Sequence, residues 1–215
     1  GSRDQEPNDT PQQALALAAG VTAVGYVDVP ADPAEGDQDW YRLEVPEGPA
    51  QRLDVVLEGA EDLDLVLEWM PADSATQRRP KAIVQADLTE KAPGAERLVG
   101  LRVPAGPALL RVREGWYKRR DRTGSALPYR LTAQLSEAGP FDELEPNDRE
   151  ADAQTLPWSA HVQGRLAQAK DRDVWRVTVG DGGAGEGTAA DAVNADAMRL
   201  RVQAPVGVGM AFTVT

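Results

Sequence analysis

The sequence predicts an all-β protein made of tandem antiparallel β-sandwich domains, the second of them partial. Three observations carry that expectation. Apolar and polar residues alternate with a period of two between Pro- and Gly-rich turns, the pattern of short strands with one buried face. The phrase Glu6-Pro7-Asn8-Asp9 returns 139 positions later as Glu145-Pro146-Asn147-Asp148. An acidic knot follows each phrase: Asp37-Gln38-Asp39-Trp40-Tyr41 and, 134 positions on, Asp171-Arg172-Asp173-Val174-Trp175. Two elements repeating in order and near-register argue for a duplicated domain.

Taken in order, Pro11 to Ala19 is the one helical candidate, with Thr10 as cap and Pro11 at the first helical position. Tyr41, Leu43 and Val45 form a strand ended by Pro46-Glu47-Gly48. Its alternation puts Tyr41 in the core and Trp40 on the outside. Leu53, Val55 and Leu57 point one way, Asp54 and Glu58 the other. Leu63, Leu65, Leu67 and Trp69 continue the pattern after a turn at Gly59-Ala60-Glu61-Asp62. Further strands are expected near 81–87, 97–103 and 107–113, and the last runs from Tyr129 to Leu135. So many short strands in one segment imply a sandwich. The expected division is a first sandwich over 1–136, a linker over 137–144 holding Ala138-Gly139-Pro140, and a second sandwich over 145–215.

The second copy has strands at His161–Leu166, Val174–Val179 and Met198–Ala204, with a glycine-rich polar loop over 180–197. It is shorter than the first. After its knot the first copy continues from Asp39 to Leu135, the second only from Asp173 to Thr215. A half sandwich exposes a long edge, which a partner chain could complete by strand addition.

Composition removes several function classes. The 215 residues carry a formal net charge of −12, which opposes binding to nucleic-acid phosphates and suits cation binding. There is no cysteine, hence no disulfide, zinc-thiolate site, iron–sulfur cluster or cysteine nucleophile. The single histidine, His161, comes with no Gly-x-Ser-x-Gly elbow, and Gly182-Gly183-Ala184-Gly185-Glu186-Gly187 lacks the Gly-Lys-Ser/Thr of a phosphate loop. No apolar run reaches the roughly 20 residues of a membrane helix. Arginine outnumbers lysine amid much alanine and glycine, which suits a GC-rich bacterial genome. Gly1-Ser2 reads either as a cloning remnant or as residues that followed a lipid-bearing cysteine, so a lipid anchor upstream stays among the expectations.

The repeated residues are mostly carboxylates and amides, the ligands of a hard cation. Ca²⁺ takes six to eight oxygens, and each copy offers four or five such side chains in two short segments. Their convergence would need a cation to offset carboxylate repulsion. The same residues also suit a turn, a helix cap and a solvated strand start.

Glu-Pro-Asn-Asp-Thr, then Gly36-Asp37-Gln38-Asp39-Trp40-Tyr41, the Val45-Pro46-Glu47-Gly48 turn, Gly115-Trp116-Tyr117 and the closing Pro128-Tyr129-Arg130-Leu131-Thr132 resemble the bacterial pre-peptidase C-terminal domain. That family is similar to the collagen-binding domains of clostridial collagenases. The likeness runs from Glu6 to Leu135 and covers the first half of the second copy. It implies a jelly-roll-like sandwich, export, attachment to secreted hydrolases, and calcium in some members. Carried over, the implied ligands are Glu6, Asn8, Asp9, Asp37 and Asp39, then Glu145, Asn147, Asp148, Asp171 and Asp173. Relatives with an acid two residues before the Glu imply Asp4 and Glu143 as well.

One basic cluster interrupts the acidity. Arg111, Arg113, Lys118, Arg119, Arg120 and Arg122 surround Trp116 and Tyr117, a pairing suited to a protein interface, a polyanion or a sugar. The plainer alternative is a solvated hairpin with Trp116 packed on the sandwich edge. Together these readings point to a non-catalytic, exported bacterial binding or spacer protein, in the periplasm, at the cell surface or outside the cell. Its partner would be a protein or a polysaccharide. The alternatives are accessory domains of a secreted peptidase or other hydrolase, and a subunit of a cell-surface complex.

Overall fold

Segments with period-two alternation pair into two five-stranded sheets whose apolar faces meet. The computed structural model describes residues 2–3, 5–28, 36–59, 64–87, 95–115, 127–156, 161–165, 171–177 and 200–203. Twelve strands occur among them: β1 Ser2–Arg3, β2 Leu15–Ala16, β3 Thr22–Gly25, β4 Gln38–Val45, β5 Gln51–Glu58, β6 Leu65–Met70, β7 Val84–Ala86, β8 Ala95–Val103, β9 Gly106–Glu114, β10 Tyr129–Glu137, β11 Gln154–Thr155 and β12 Trp175–Arg176. One sheet has the order β1-β3-β10-β5-β8 and the other β2-β4-β9-β6-β7. The all-β sandwich expected from the alternation is what the chain forms.

The core is built from the inward residues of both sheets. Leu53, Val55 and Leu57 of β5 meet Leu43 of β4, Leu67 of β6 and Leu110 and Val112 of β9. Each buried aliphatic side chain of this kind contributes about 1.5–3 kcal/mol against conformational entropy.

Two expectations are corrected. Pro11 to Ala19 is not a helix. Only Pro11–Gln13 turns, as a 3-10 segment, and Ala14 already has extended backbone at φ −51° and ψ 126°. Leu15 and Ala16 then pair in parallel with Tyr41 and Arg42, and the Leu17 N–H donates to the Arg42 carbonyl at 2.8 Å. Pairing with a distant strand overrides the helix propensity of Ala and Leu. Trp40 does not face solvent. It is 1% exposed, because Met70 and Leu109 cover the outer face of the second sheet there, with Ala14 and Ala82 packed against them. All six residues of β6 are buried for the same reason.

Residues Gly1–Val177 form one compact unit and Thr178–Thr215 another. In the second unit the described residues 200–203 form no strand and are exposed, so the strand expected over Met198–Ala204 is not seen there. A strand needs a hydrogen-bonded neighbour. In the first unit, the segment after β10 is tied down: the Ala138 N–H donates to Ala50 O at 2.8 Å.

Several contacts of the chain's opening recur around the second phrase at the sequence offsets 139 and 134. Leu15↔Tyr41 and Ala16↔Arg42 are matched by Gln154↔Trp175 and Thr155↔Arg176. The Leu17 bond to Arg42 is matched by Leu156 N–H to Arg176 O at 2.8 Å. Arg3↔Val24 is matched by the bridge Asp142↔Gln163, the only ladder contact within the described part of the strand expected over His161–Leu166. Both Glu-Pro bonds are cis.

Candidate cation sites

Strand alternation and one backbone hydrogen bond build the first acidic cluster. The Trp40 N–H donates to the Asn8 carbonyl at 3.0 Å, which lays the first phrase beside the start of β4. The Glu6 carboxylate folds back to accept the Asn8 N–H at 3.1 Å. Asp39 points inward with Tyr41. Its Oδ2 accepts the Tyr129 hydroxyl at 2.6 Å, and that hydroxyl lies 2.7 Å from the Tyr41 hydroxyl. Gly25 makes room for this: a Cβ there would sit 2.3 Å from the Tyr129 ring and hydroxyl. As a result, one oxygen each of Glu6, Asp37 and Asp39 lies within 4.8 Å of the others. Burial pushes the Asp37 carboxyl up to about 7, and the charges of Glu6, Asp9 and Asp28 add to it, although the Asp28 N–H donates to Asp37 at 2.5 Å and opposes the shift.

The second cluster repeats this plan. The Val174 N–H donates to Asn147 O at 3.0 Å, and the Asn147 N–H donates to Glu145 Oε2 at 2.9 Å. Asn147 is fully buried and Glu145 is 7% exposed. Two overlapping groups share Glu145: Glu143, Glu145 and Asp173, and Glu145, Asp148 and Asp171, each with oxygens within 4.8 Å of one another. Glu143 is held by the Arg165 N–H and touches Asn147 Nδ2, and it faces Gly164, where a Cβ would stand 2.8 Å from its Oε1. Burial raises Glu143, and burial then the charges of Asp171, Asp173 and Asp148 raise Glu145 to about 7. Burial and the charges of Glu143 and Asp171 raise Asp173 to about 7.

Asn147 Oδ1 and Glu145 Oε1 are buried with no hydrogen-bond partner among the described residues. A buried acceptor left so costs about 1–3 kcal/mol, and more when charged. Two ionised carboxylates about 5 Å apart repel by roughly 3 kcal/mol at an effective dielectric of about 20. Protons relieve this at low pH. At neutral pH a bound cation would relieve it and would give the two acceptors a partner. Every candidate ligand is an oxygen of a carboxylate or amide, which fits a hard ion such as Ca²⁺ and not a soft transition metal. His161 is exposed and belongs to neither cluster.

Of the residues singled out from sequence, Glu6, Asp37, Asp39, Glu143, Glu145, Asp148, Asp171 and Asp173 converge. Asn8 and Asn147 are buried beside them, and Asp9 stands close enough to raise Asp37. Asp4 lies outside the described residues, as do Trp116, Tyr117, Lys118, Arg119, Arg120 and Arg122. Arg113 is taken up by Glu68, at 3.1 Å. Sequence reasoning did not single out Tyr129, Gly25, Asp28 or Arg165 for the site. The first two carry no local signal, because Tyr129 and Gly25 meet only through sheet register.

No family model matches the chain, and no curated protein sequence matches it. Among solved structures, it is similar to the pre-peptidase C-terminal domain of a collagenase from Bacillus anthracis, at 14% identity and a TM-score of 0.38, over 61% of this chain and 100% of that one. It is also similar to a periplasmic inhibitor of g-type lysozyme from Aeromonas hydrophila, at 12% identity and a TM-score of 0.37, over 57% of this chain and 97% of that one.

Proposed function

We propose that the chain is a non-catalytic, exported binding or spacer protein of tandem β-sandwich modules, in which calcium clamps each acidic phrase to the strand start beside it. The observation that carries this reading is the second cluster. Glu145 Oε1 and Asn147 Oδ1 are buried acceptors with no hydrogen-bond partner among the described residues, inside sets of carboxylates whose oxygens lie within 4.8 Å of one another. The recurrence of the same backbone bonds at both phrases supports two copies of one module.

The mechanism is charge neutralisation. In the folded chain Glu143, Glu145, Asn147, Asp148, Asp171 and Asp173 would hold the ion in the second copy, and Glu6, Asn8, Asp37 and Asp39 in the first. Unfolding scatters these ligands, so the ion stabilises only the folded state. At 100 times its Kd the gain is about 2.7 kcal/mol per site. For a chain of this size that raises Tm by roughly 5–10 °C. Thermal melts of the full chain in chelator and in millimolar calcium test this. An unchanged Tm overturns the clamp.

A further inference from the structure

The ligand-bearing backbone of the second site is held by the first sandwich. The Glu145 N–H donates to Gly100 O at 2.7 Å and the Arg102 N–H donates to Glu145 O at 2.7 Å, so Glu145 forms a parallel bridge to Leu101. Strand β8, which carries Gly100 to Arg102, is an edge of its sheet. That edge is shaped for the contact. The register between β5 and β8 shifts between Leu53 and Val55, which leaves one extra residue in β8. Gly100 stands there at φ +74°, a left-handed backbone that favours glycine. Its N–H has no ladder carbonyl and donates instead to Asp54 Oδ1 at 2.6 Å. Its Cα side is also filled: a Cβ would meet the Glu143 carbonyl at 3.0 Å. Arg52 pairs with Asp54 at 3.2 Å and lies 3.9 Å from Asp142. Leu144 is buried between the two ligands Glu143 and Glu145. The corresponding ligand of the first copy, Glu6, is exposed.

We propose that the bulge at Gly100 and Asp54 is a docking notch for the second acidic phrase, so that cation binding at Glu143 and Glu145 is coupled to the edge of the preceding sandwich. The proposal rests on the cation reading above. Gly100 and Asp54 touch no ion. They are positioning residues: they fix the backbone from which Glu143 and Glu145 reach the site. Linkage makes the coupling reciprocal. An ion that binds the docked phrase better than the undocked one also protects β8, and a damaged notch weakens the ion. The role is joint-like. Occupancy would fix the angle at which residues 143–148 leave the first sandwich, while the first site, with Glu6 exposed, lacks such a contact among the described residues.

Two measurements on the full chain test this. In the first, calorimetric calcium titration reads the second site alone in an Asp37→Asn background. Gly100→Ala and Asp54→Ala are expected to weaken that site by about fivefold or more. The first site, read in a Glu145→Gln background, is expected to keep its affinity when Gly100→Ala is added. Equal loss at both sites, or a change at the second site of less than about twofold, overturns the proposal. In the second, amide exchange of the unmutated chain is followed with calcium and with chelator, which decides the matter even if Gly100→Ala does not fold. Calcium is expected to slow Arg102 and Glu145 together. Slowing confined to residues 143–148 and 171–174 overturns the docking notch and leaves the cation reading standing. No heat and no protection anywhere overturns the cation reading, and the notch with it.

Discussion

The Tyr129 hydroxyl donates to the buried carboxylate of Asp39 at 2.6 Å, across 90 residues of sequence. It closes a chain of three groups with the Tyr41 hydroxyl and holds one candidate ligand from the opposite sheet. A hydrogen bond to a charged group of this kind is worth about 1.5–3 kcal/mol. Tyr129→Phe is therefore expected to lower the stability of the chelated protein by about that amount, measured by urea unfolding. Calcium should recover part of the loss, because the ion then orders Asp39 directly. A loss below about 0.5 kcal/mol would show that this hydroxyl does not hold the carboxylate.

The pH response follows from the direction of the shifts. Asp37, Glu145 and Asp173 titrate near 7 in the folded chain, above the range of about 4 for unfolded carboxylates. Between those limits the folded state binds more protons than the unfolded one. Stability without the ion therefore falls as pH rises through that window, and the full penalty is present above the folded values. Chelated protein is expected to melt higher at about pH 5 than at about pH 8. Saturating calcium should flatten or reverse that slope, because the ion favours the ionised carboxylates. A chelated Tm that climbs from about pH 5 to about pH 8 contradicts the shifts.

Local patterns were legible and distant ones were not. Leu53, Val55 and Leu57 announce β5 by alternation alone, and all three are fully buried. The acidic clusters were legible because the chain writes them twice, in segments that begin strands. The stretch from Pro11 to Ala19 misleads because its Ala and Leu favour a helix until β4, 26 positions away, pairs with it. Trp40 misleads because its cover, Met70 and Leu109, comes from β6 and β9. Tyr129 and Gly25 belong to the first site only through sheet register, Tyr129↔Gly25, which no local window contains. The contact of Glu145 with Gly100 joins segments whose only local sign is the glycine itself.

Glu68, Arg111 and Trp40 stand in one row across β6, β9 and β4, directly opposed in register. The row lies on the outer face of the sheet, behind Asp39 and Tyr41. Arg111 bonds Glu68 at 2.7 Å and Gln38 at 3.1 Å, and its guanidinium lies 5.2 Å from the Trp40 ring centre. Arg113 adds a second pair to Glu68. Glu68 is the least exposed of the three charged groups, with 4% of its side chain accessible against 14% and 22% for the arginines. Removing its carboxylate therefore leaves two part-buried cations facing each other without a counter-charge. Glu68→Ala is expected to cost about 3 kcal/mol, the lower end for breaking a buried pair, because the arginines retain some water. Glu68→Gln keeps the shape and one acceptor, so it should cost less. The loss should also reach the first acidic cluster, since Arg111 anchors Gln38 between Asp37 and Asp39. Urea unfolding gives the stability, and the calcium-induced Tm shift in a Glu145→Gln background gives the effect on the first cluster. A cost of about 0.5 kcal/mol or less for Glu68→Ala would place the row among ordinary surface pairs and remove it as a support for the cluster.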